Sequence, residues 1–208
     1  MTTSASDLTT LPDLTGRPVL RAIYERRNIK RFSPRAVERE VVERLLEAAV
    51  QAPQHHRVNP WRFYVFANPG ESRQPLADLA FEAAMERSKG ADDEATRSRA
   101  EVRRLQALES PVIVVAFSEP GRDATGTREN YGAVIAALQN LSLAAVEEGL
   151  VTGWTTGGFS SHPGLRDYLG VSPESQLVGA LFIGYPQPTS SAVTQPRPTA
   201  SAATTWVS

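Results

Sequence analysis

An uninterrupted apolar strand is the feature that most restricts what this chain can fold into. The segment PVIVVAF, residues 111–117, contains no polar side chain, and the turn residues Glu119, Pro120 and Gly121 follow it. Because successive side chains of a strand point to opposite faces of a sheet, this strand is apolar on both faces. It therefore predicts a sheet that is covered by helices on both sides.

Further strands and several helices are predicted around it. WRFYVFA, residues 61–67, and LVGALFIGY, residues 177–185, are rich in aromatic and β-branched residues. Helices are predicted at 18–27, 37–53, 131–150 and 165–169, with one or two exposed helices within 70–110. The helix at 131–150 is apolar almost all round and is expected to be buried. Taken alone, this alternation of strands and helices predicts a doubly wound parallel sheet.

The chain is of a length that suits one domain with a sizeable core, since it has 208 residues. We expect a flexible leader at 1–17 and one domain at 18–188, in which residues 70–110 form a helical cover. A C-terminal arm is expected at 189–208. It is rich in proline and small polar residues, and its single charge is Arg197.

Charge and composition disfavour several classes of function. Lys and Arg number 22 against 23 Asp and Glu, a net charge of -1, so no overall field draws the chain to nucleic acid or an anionic membrane. There is no cysteine for a thiol nucleophile, and three histidines make a metal centre unfavoured. No signal peptide is recognisable, so a cytoplasmic location is expected. Motifs typical of serine hydrolases, phosphate-loop enzymes, dinucleotide-binding folds and zinc peptidases are missing.

A basic cluster follows the first predicted helix. Within ERRNIKRF, residues 25–32, four cations occupy six positions: Arg26, Arg27, Lys30 and Arg31. Arginine presents a planar set of donors that suits phosphate, so the cluster is a candidate anion site. A solvated basic helix end, favoured by the helix dipole, is the simpler interpretation from physics alone.

A polar loop joins the second predicted helix to the strand at 61–67. Its HHRVN, residues 55–59, offers imidazole, guanidinium and amide donors to a planar heterocycle, and loops at strand ends commonly carry sites. A turn histidine with an exposed neighbour is slightly favoured when nothing else is known.

A glycine-rich turn, GWTTGG at 153–158, follows the apolar helix. Its glycines permit close backbone approach, and its N–H groups are potential donors to a ligand. A tight turn under steric constraint is the more common reason for such a sequence.

In this order the motifs resemble the nitroreductase-like family of FMN-dependent oxidoreductases, above all its short members. RRNIKRF is similar to the family's R-R-S-x-R-x-F opening. APQHHRVNPWRF, residues 52–63, is similar to its A-P-S-x-x-N-x-Q-P-W loop, which contains A-P-D-H in the short members. The helix ending in QNLSLAAVEEGLVTGW, the turn TTGG and the segment LVGALFIGYPQP complete a resemblance over residues 24–188.

The resemblance implies an α+β sandwich with a central, mostly antiparallel sheet flanked by helices, in place of the doubly wound sheet. It also implies a homodimer with FMN at the subunit interface and an arm that crosses to the partner subunit, where Trp206 would be buried. Hydride would pass from NADH or NADPH through FMN to a small acceptor such as a nitroaromatic, a quinone or an enone. No side chain would act as a catalytic acid or base, because the flavin carries the chemistry.

Cofactor contacts are implied residue by residue. Arg26 and Asn28 match positions that hold the FMN phosphate and ribityl chain, and Lys30 matches a cation at the pyrimidine edge of the flavin. Asn28 replaces the usual serine by an amide that still donates. The full set of cofactor-binding residues expected from the resemblance is Arg26, Arg27, Asn28, Lys30, Gln51, His55, Trp154, Thr155, Thr156 and Arg197.

The remaining members of that set come from later segments. Gln51 and His55 are expected to reach FMN, whereas Arg57 stands where many members place a flavin-binding asparagine. The segment 154–156 matches one that lies beside the isoalloxazine. Arg197 resembles a C-terminal basic residue that completes the phosphate site in larger members.

Other functions stay open at the level of the sequence. These are a flavin-fragmenting or dehalogenating relative, a non-enzymatic flavin-binding protein, and a module that binds another anion. The choice between NADH and NADPH is open as well. Four arginines of the cover region are candidates for holding a 2′-phosphate, but a solvated helix face is the favoured interpretation; they are Arg97, Arg99, Arg103 and Arg104.

Overall fold

The structure is a computed structural model that describes residues 13–88, 93–187, 197 and 199–207. Most of the predicted leader at 1–17 and half of the predicted arm at 189–208 lie outside the described residues. Within the described part, no helix is both long and apolar enough to cross a membrane.

The described residues form six α-helices, four β-strands and two short 3-10 turns. The helices are α1 (Pro18–Glu25), α2 (Arg39–Ala49), α3 (Arg73–Arg87), α4 (Glu94–Glu109), α5 (Ala124–Glu147) and α6 (Pro163–Leu169). The strands are β1 (Trp61–Ala67), β2 (Val112–Ser118), β3 (Val151–Thr155) and β4 (Gln176–Gly184). The 3-10 turns are Gly158–Ser161 and Ala200–Ala203.

The four strands form one sheet in the order β1-β2-β4-β3, and every neighbouring pair is antiparallel. The α+β sandwich is therefore confirmed, and the doubly wound parallel sheet predicted from alternation alone is wrong. The reason lies in the connections: two helices, α3 and α4, separate β1 from β2, so the chain enters β2 in the reverse direction. Since β2 and β3 are both antiparallel to β4, they run the same way, and β4 fills the space between them.

The central strand β2 is buried along its whole length, as its apolar sequence predicts. Val112 and Val114 face a core that contains α2 and α5, which we call the α2–α5 core. Ile113 and Val115 face the opposite core, which contains residues of α3, α4 and α6 and which we call the α3–α6 core. The sheet is thus the middle of three layers.

Helix α5 differs from the prediction in one respect. Its buried residues recur every three or four positions and lie along one face: Asn130, Ala133, Val134, Ala137, Leu138, Leu141, Ser142 and Ala145. The other face is not buried in the single chain, and Ile135 is exposed there. The expectation that this helix is buried therefore holds for one face only, and the other face is exposed or half-buried in the single chain.

A buried arginine fastens the helical cover region to the sheet. Arg73, in the first turn of α3, is fully buried. Its guanidinium donates to the carbonyl oxygens of Ala107 at 3.0 Å, Phe66 at 2.6 Å and Pro111 at 3.2 Å. Burial lowers its pKa to about 10. One side chain thus joins α3 to the end of α4, to strand β1 and to the residue that precedes β2.

Candidate functional site

The segment after α1 lies against β3 and positions two of the predicted site residues. Ile29 N–H donates to the carbonyl oxygen of Thr152 at 2.9 Å, and Trp154 N–H donates to the side-chain oxygen of Asn28 at 2.6 Å. Gly153 allows this contact, because a Cβ there would lie 2.3 Å from Cγ of Lys30 and 2.5 Å from the carbonyl oxygen of Ile29. Gly153, the first glycine of the GWTTGG turn, is therefore required for the close approach of the segment 28–30 to β3.

A large cleft opens beside this segment on the α3–α6 side of the sheet. Its volume is about 1640 Å³, more than the roughly 300–1,000 Å³ usual for a pocket that holds one small ligand. The walls come from the segment 27–32, from α3 and α4, from the turn after β3, and from Phe182 and Arg197. Lys30 crosses its floor, with Nζ 5.5 Å from the centre of the Phe182 ring.

Positive charge dominates the cleft. Among the described residues that line it are seven cations and a single carboxylate, that of Glu109. The cations are Arg27, Lys30, Arg31, Arg87, Arg99, Arg103 and Arg197. Such a surplus of fixed positive charge in a partly enclosed space favours an anionic ligand. The basic cluster is thus more than a solvated helix end.

Like charges act on one another in the cleft and beside it. Burial, and then the positive charges of Arg197 and Arg27, lower the pKa of Arg26. Burial, and then the positive charge of Arg103, lower the pKa of Lys30. Both effects oppose the charged forms, and a bound anion would relieve both.

Several of the predicted site residues come together here. Arg27, Asn28, Lys30, Thr155 and Arg197 line the cleft. Arg26 does not line it, but lines a smaller neighbouring depression.

Arg27 also has the structural role that its position suggested, as a basic residue at the end of α1. Its guanidinium donates to the carbonyl oxygens of Tyr24 and Arg26 at the end of α1. It therefore both caps the helix and faces the cleft.

Other predicted residues lie elsewhere in the single chain. Gln51 and His55 do not line the cleft. Gln51 is exposed and donates to the carbonyl oxygen of Glu47 at 3.4 Å. His55 has 63% of its side chain exposed, and its Nδ1 lies 3.2 Å from a carboxylate oxygen of Glu129. Thr156 is exposed beside the turn and is not among the lining residues.

Trp154 points away from the cleft. Its neighbour Thr155 lines the cleft, whereas the Trp154 side chain packs against the α2–α5 core, as alternation along a strand requires. Its Nε1 is buried without a hydrogen-bond partner in the described residues. Only the backbone of Trp154 is therefore near the segment that carries Asn28.

The polar loop is held in an unusual backbone conformation. His56, Arg57 and Asn59 all have positive φ, at 54°, 54° and 48°. Non-glycine residues in this region carry strain, and such residues cluster at functional sites. Nothing in the sequence HHRVN predicted three of them in one loop.

Four arginines of the cleft were outside the set of cofactor-binding residues expected from the resemblance: Arg31, Arg87, Arg99 and Arg103. Arg87 ends α3, and its Nη2 lies only 2.8 Å from where a Cβ of Gly157 would stand. Arg99 and Arg103 belong to α4 and were read as part of a solvated helix face. The available signal was their spacing of four residues, which places both on one face of a helix.

Comparison with known proteins agrees with this geometry. The model of the Nitroreductase family matches residues 23–185. The chain is 28% identical over 183 residues to "Putative NAD(P)H nitroreductase YdjA" of Escherichia coli K12, which covers 86% of this chain and 95% of that protein. A crystal structure of a nitroreductase-like family protein from Bacillus cereus superposes with a TM-score of 0.77 and 26% identity, over 96% of this chain and 98% of that one. A "putative nitroreductase in complex with FMN" from Desulfovibrio desulfuricans superposes with a TM-score of 0.65 and 26% identity, over 89% and 95% of the two chains.

Proposed function

The chain belongs to the nitroreductase family, and from that premise we propose that it is a homodimeric, FMN-dependent oxidoreductase. It takes hydride from NADH or NADPH and delivers it to a small acceptor such as a nitroaromatic, a quinone or an enone. A cytoplasmic location is part of the proposal. The observation that carries it is the cation-lined cleft beside the segment 28–30, which Gly153 lets approach β3.

The cleft fits FMN on chemical grounds. A phosphate needs charge-assisted donors; Arg27 and Arg197 line the cleft, and Arg26 lies beside it, close enough for both of their charges to act on it. The Asn28 oxygen accepts from the backbone of β3, which leaves its amide nitrogen as the donor for the phosphate or ribityl chain. We assign these four residues to the polar tail of FMN.

Lys30 is assigned to the ring of the cofactor. It is held in place by its Cγ against Gly153 and by Gln106, whose amide donates to the Lys30 carbonyl oxygen at 3.1 Å. Half-burial beside Arg103 makes its charge costly without a negative partner. A flavin that gains negative charge on reduction supplies that partner, and Lys30 thereby favours the reduced cofactor.

Gln51 and His55 are assigned to the cofactor of the partner subunit. Both are exposed and neither lines this chain's own cleft. The resemblance assigns them to FMN, and the two facts are compatible if each loop reaches across the dimer. The left-handed residues that follow His55 present this loop in one fixed conformation.

Exposed apolar surface supports the dimer. Helix α1 exposes Val19, Leu20 and Ile23, and α5 exposes Ile135. Near the end of the chain, Trp206 is 91% exposed. Exposed apolar side chains of this kind are available for a subunit interface. Burying one large aromatic side chain contributes roughly 1.5–3 kcal/mol.

The chemistry belongs to the cofactor, and the protein supplies position and charge. When bound, FMN would accept hydride from the nicotinamide and pass it to the acceptor. The chain would bind and orient both partners beside the cofactor and would balance its charge with Lys30. No side chain is assigned the role of general acid or base in this proposal.

A single spectroscopic experiment tests the proposal. The purified protein is mixed with FMN, desalted, and titrated anaerobically with NADPH or NADH in the same cuvette. Flavin bands that persist and then bleach support the proposal. Bands that persist but do not bleach indicate a flavin-binding protein without this activity, and no retained flavin contradicts the cofactor assignment. A bleached flavin that fragments, or that releases halide from a halogenated substrate under oxygen, indicates a relative with different chemistry.

A further inference from the structure

One face of α4 combines the chemistry of a phosphate site with that of a nucleobase site. Arg99, Val102, Arg103 and Gln106 recur at intervals of three or four residues and all line the cleft. Val102 and Leu105 are 59% and 40% exposed, so both offer apolar surface to the cleft beside the two cations. The Gln106 amide donates to the Lys30 carbonyl oxygen, so this face of α4 adjoins the proposed flavin site.

The two arginines of this face have no anionic partner. Arg99 donates to the Thr96 hydroxyl at 2.9 Å, and Arg103 to the Gln106 side-chain oxygen at 3.3 Å. Within the described residues, no carboxylate oxygen lies within 4.0 Å of their side-chain nitrogens. Like charges four residues apart destabilise a helix, so a merely solvated face would not favour this pair.

Arg104, their neighbour on the adjacent face of α4, shows the contrast. It lies 3.6 Å from a carboxylate oxygen of Asp78 and 3.0 Å from one of Glu101, and it does not line the cleft. Of these three arginines of α4, Arg104 is therefore paired with acids, whereas Arg99 and Arg103 face the cleft with only neutral partners among the described residues. A solvated helix face of mixed charge would not predict this division.

The size and charge of the cleft suit a second anion beside FMN. Its volume of about 1640 Å³ exceeds the need of one small ligand. A phosphate monoester carries a charge of about -1.5 to -2, so one phosphate at the Arg197 end leaves most of the seven cations uncompensated. A nucleotide with a phosphate on its ribose matches both the spare charge and the apolar surface of Val102 and Leu105.

We propose that Arg99 and Arg103 bind the 2′-phosphate of NADPH, with the adenine ring against Val102 and Leu105, and that the protein therefore uses NADPH in preference to NADH. The inference rests on the proposed function, since it names the electron donor of that site. NADH has a hydroxyl at the 2′-position and gains nothing from the two guanidinium groups. Each guanidinium–phosphate contact is charge-assisted and can be bidentate.

The test compares wild type with the double variant Arg99→Gln/Arg103→Gln, and uses Arg104→Gln as the matched control on the same helix. The FMN-loaded proteins are mixed anaerobically with NADPH or NADH, and the second-order rate constant for flavin bleaching is measured. Wild type and the control should prefer NADPH by about 10- to 100-fold, and in the double variant the ratio of the two rate constants should fall to about one. Calorimetric titration gives an independent readout: adenosine 2′,5′-bisphosphate should bind wild type more tightly than AMP does, and the double variant should bind the two alike.

The possible failures can be told apart. Equal bleaching by both coenzymes in wild type, or a preference that survives in the double variant, would overturn the coenzyme assignment alone. Binding of the bisphosphate that is unchanged in the double variant would overturn it too, and would do so without reference to turnover. A retained flavin that neither coenzyme bleaches would overturn the proposed function and the coenzyme assignment together.

Discussion

Replacing Gly153 by alanine is the sharpest test of how the site is built. A Cβ at this position would lie 2.3 Å from Cγ of Lys30 and 2.5 Å from the carbonyl oxygen of Ile29. The lysine methylene can rotate away, but the carbonyl oxygen would have to retreat by about 1 Å to reach an ordinary contact distance. That movement pulls on the bond from Ile29 N–H to the Thr152 carbonyl oxygen, which holds the segment to β3.

The expected cost follows from this geometry. Overpacking a tight site typically costs about 1–3 kcal/mol, and the upper part of that range applies because backbone must move. For a domain of this size each kcal/mol lowers Tm by roughly 2–4 °C, so we expect Gly153→Ala to lower Tm by about 4–12 °C. Since Asn28 and Lys30 move with the segment, the Kd for FMN should rise by about 10-fold or more.

The control is Gly70→Ala, the same substitution at a glycine with no heavy atom within 4 Å of the new Cβ and no positive φ. Its Tm and FMN affinity should match those of wild type. Both proteins are followed by thermal unfolding without FMN and by quenching of flavin fluorescence on titration. An unchanged Tm in Gly153→Ala would refute the close approach itself. A lowered Tm with an unchanged Kd would refute the assignment of the segment 28–30 to the cofactor.

Three further changes have defined outcomes. Lys30→Ala should lower the midpoint potential of bound FMN by roughly 30 mV, the equivalent of 1.4 kcal/mol for two electrons, and an unchanged potential would exclude the assigned role. Arg73→Met leaves three backbone carbonyls without their donor and should lower the free energy of unfolding in urea by about 3 kcal/mol, with Arg73→Lys between it and wild type; equal midpoints for all three proteins would contradict this. Hydrogen bonds from its own backbone N–H, from Arg35 and from Tyr185 lower the pKa of Glu38 to about 2, so the stability they provide is present above the unfolded pKa of about 4.3 and is lost as the pH falls toward 2. The Tm difference between wild type and Glu38→Gln should accordingly be constant above about pH 5 and vanish near pH 2, and a difference that persists there would disprove the linkage.

The layers of the fold could be predicted because they depend on local periodicity. The apolar strand at 112–118 needs cover on both faces, and the structure gives it two cores. The direction of the strands could not be read from the same pattern, since alternation of elements does not reveal that two successive helices reverse the chain between β1 and β2. Only the family resemblance gave the antiparallel sheet.

Buried charge and backbone strain were the features that sequence reasoning missed. An arginine early in a polar helix reads as a surface residue, yet Arg73 is fully buried because three carbonyl oxygens from separate segments converge on it. The left-handed residues of the loop 56–59 likewise depend on how the loop is held rather than on which residues it contains. Both features arise from tertiary contacts between distant segments.

The cleft has the same origin, and this explains why a motif could reveal only part of it. Its cations come from the segment after α1, the end of α3, one face of α4 and Arg197, so no single stretch of sequence contains the site. Burial first, and then neighbouring like charges, lower the pKa values of Arg26 beside the cleft and of Lys30 within it. A bound anion would offset the like-charge part of this cost. Because seven cations line the cleft and one phosphate carries a charge of about -1.5 to -2, the proposed site is better matched to FMN together with a phosphorylated coenzyme than to either alone.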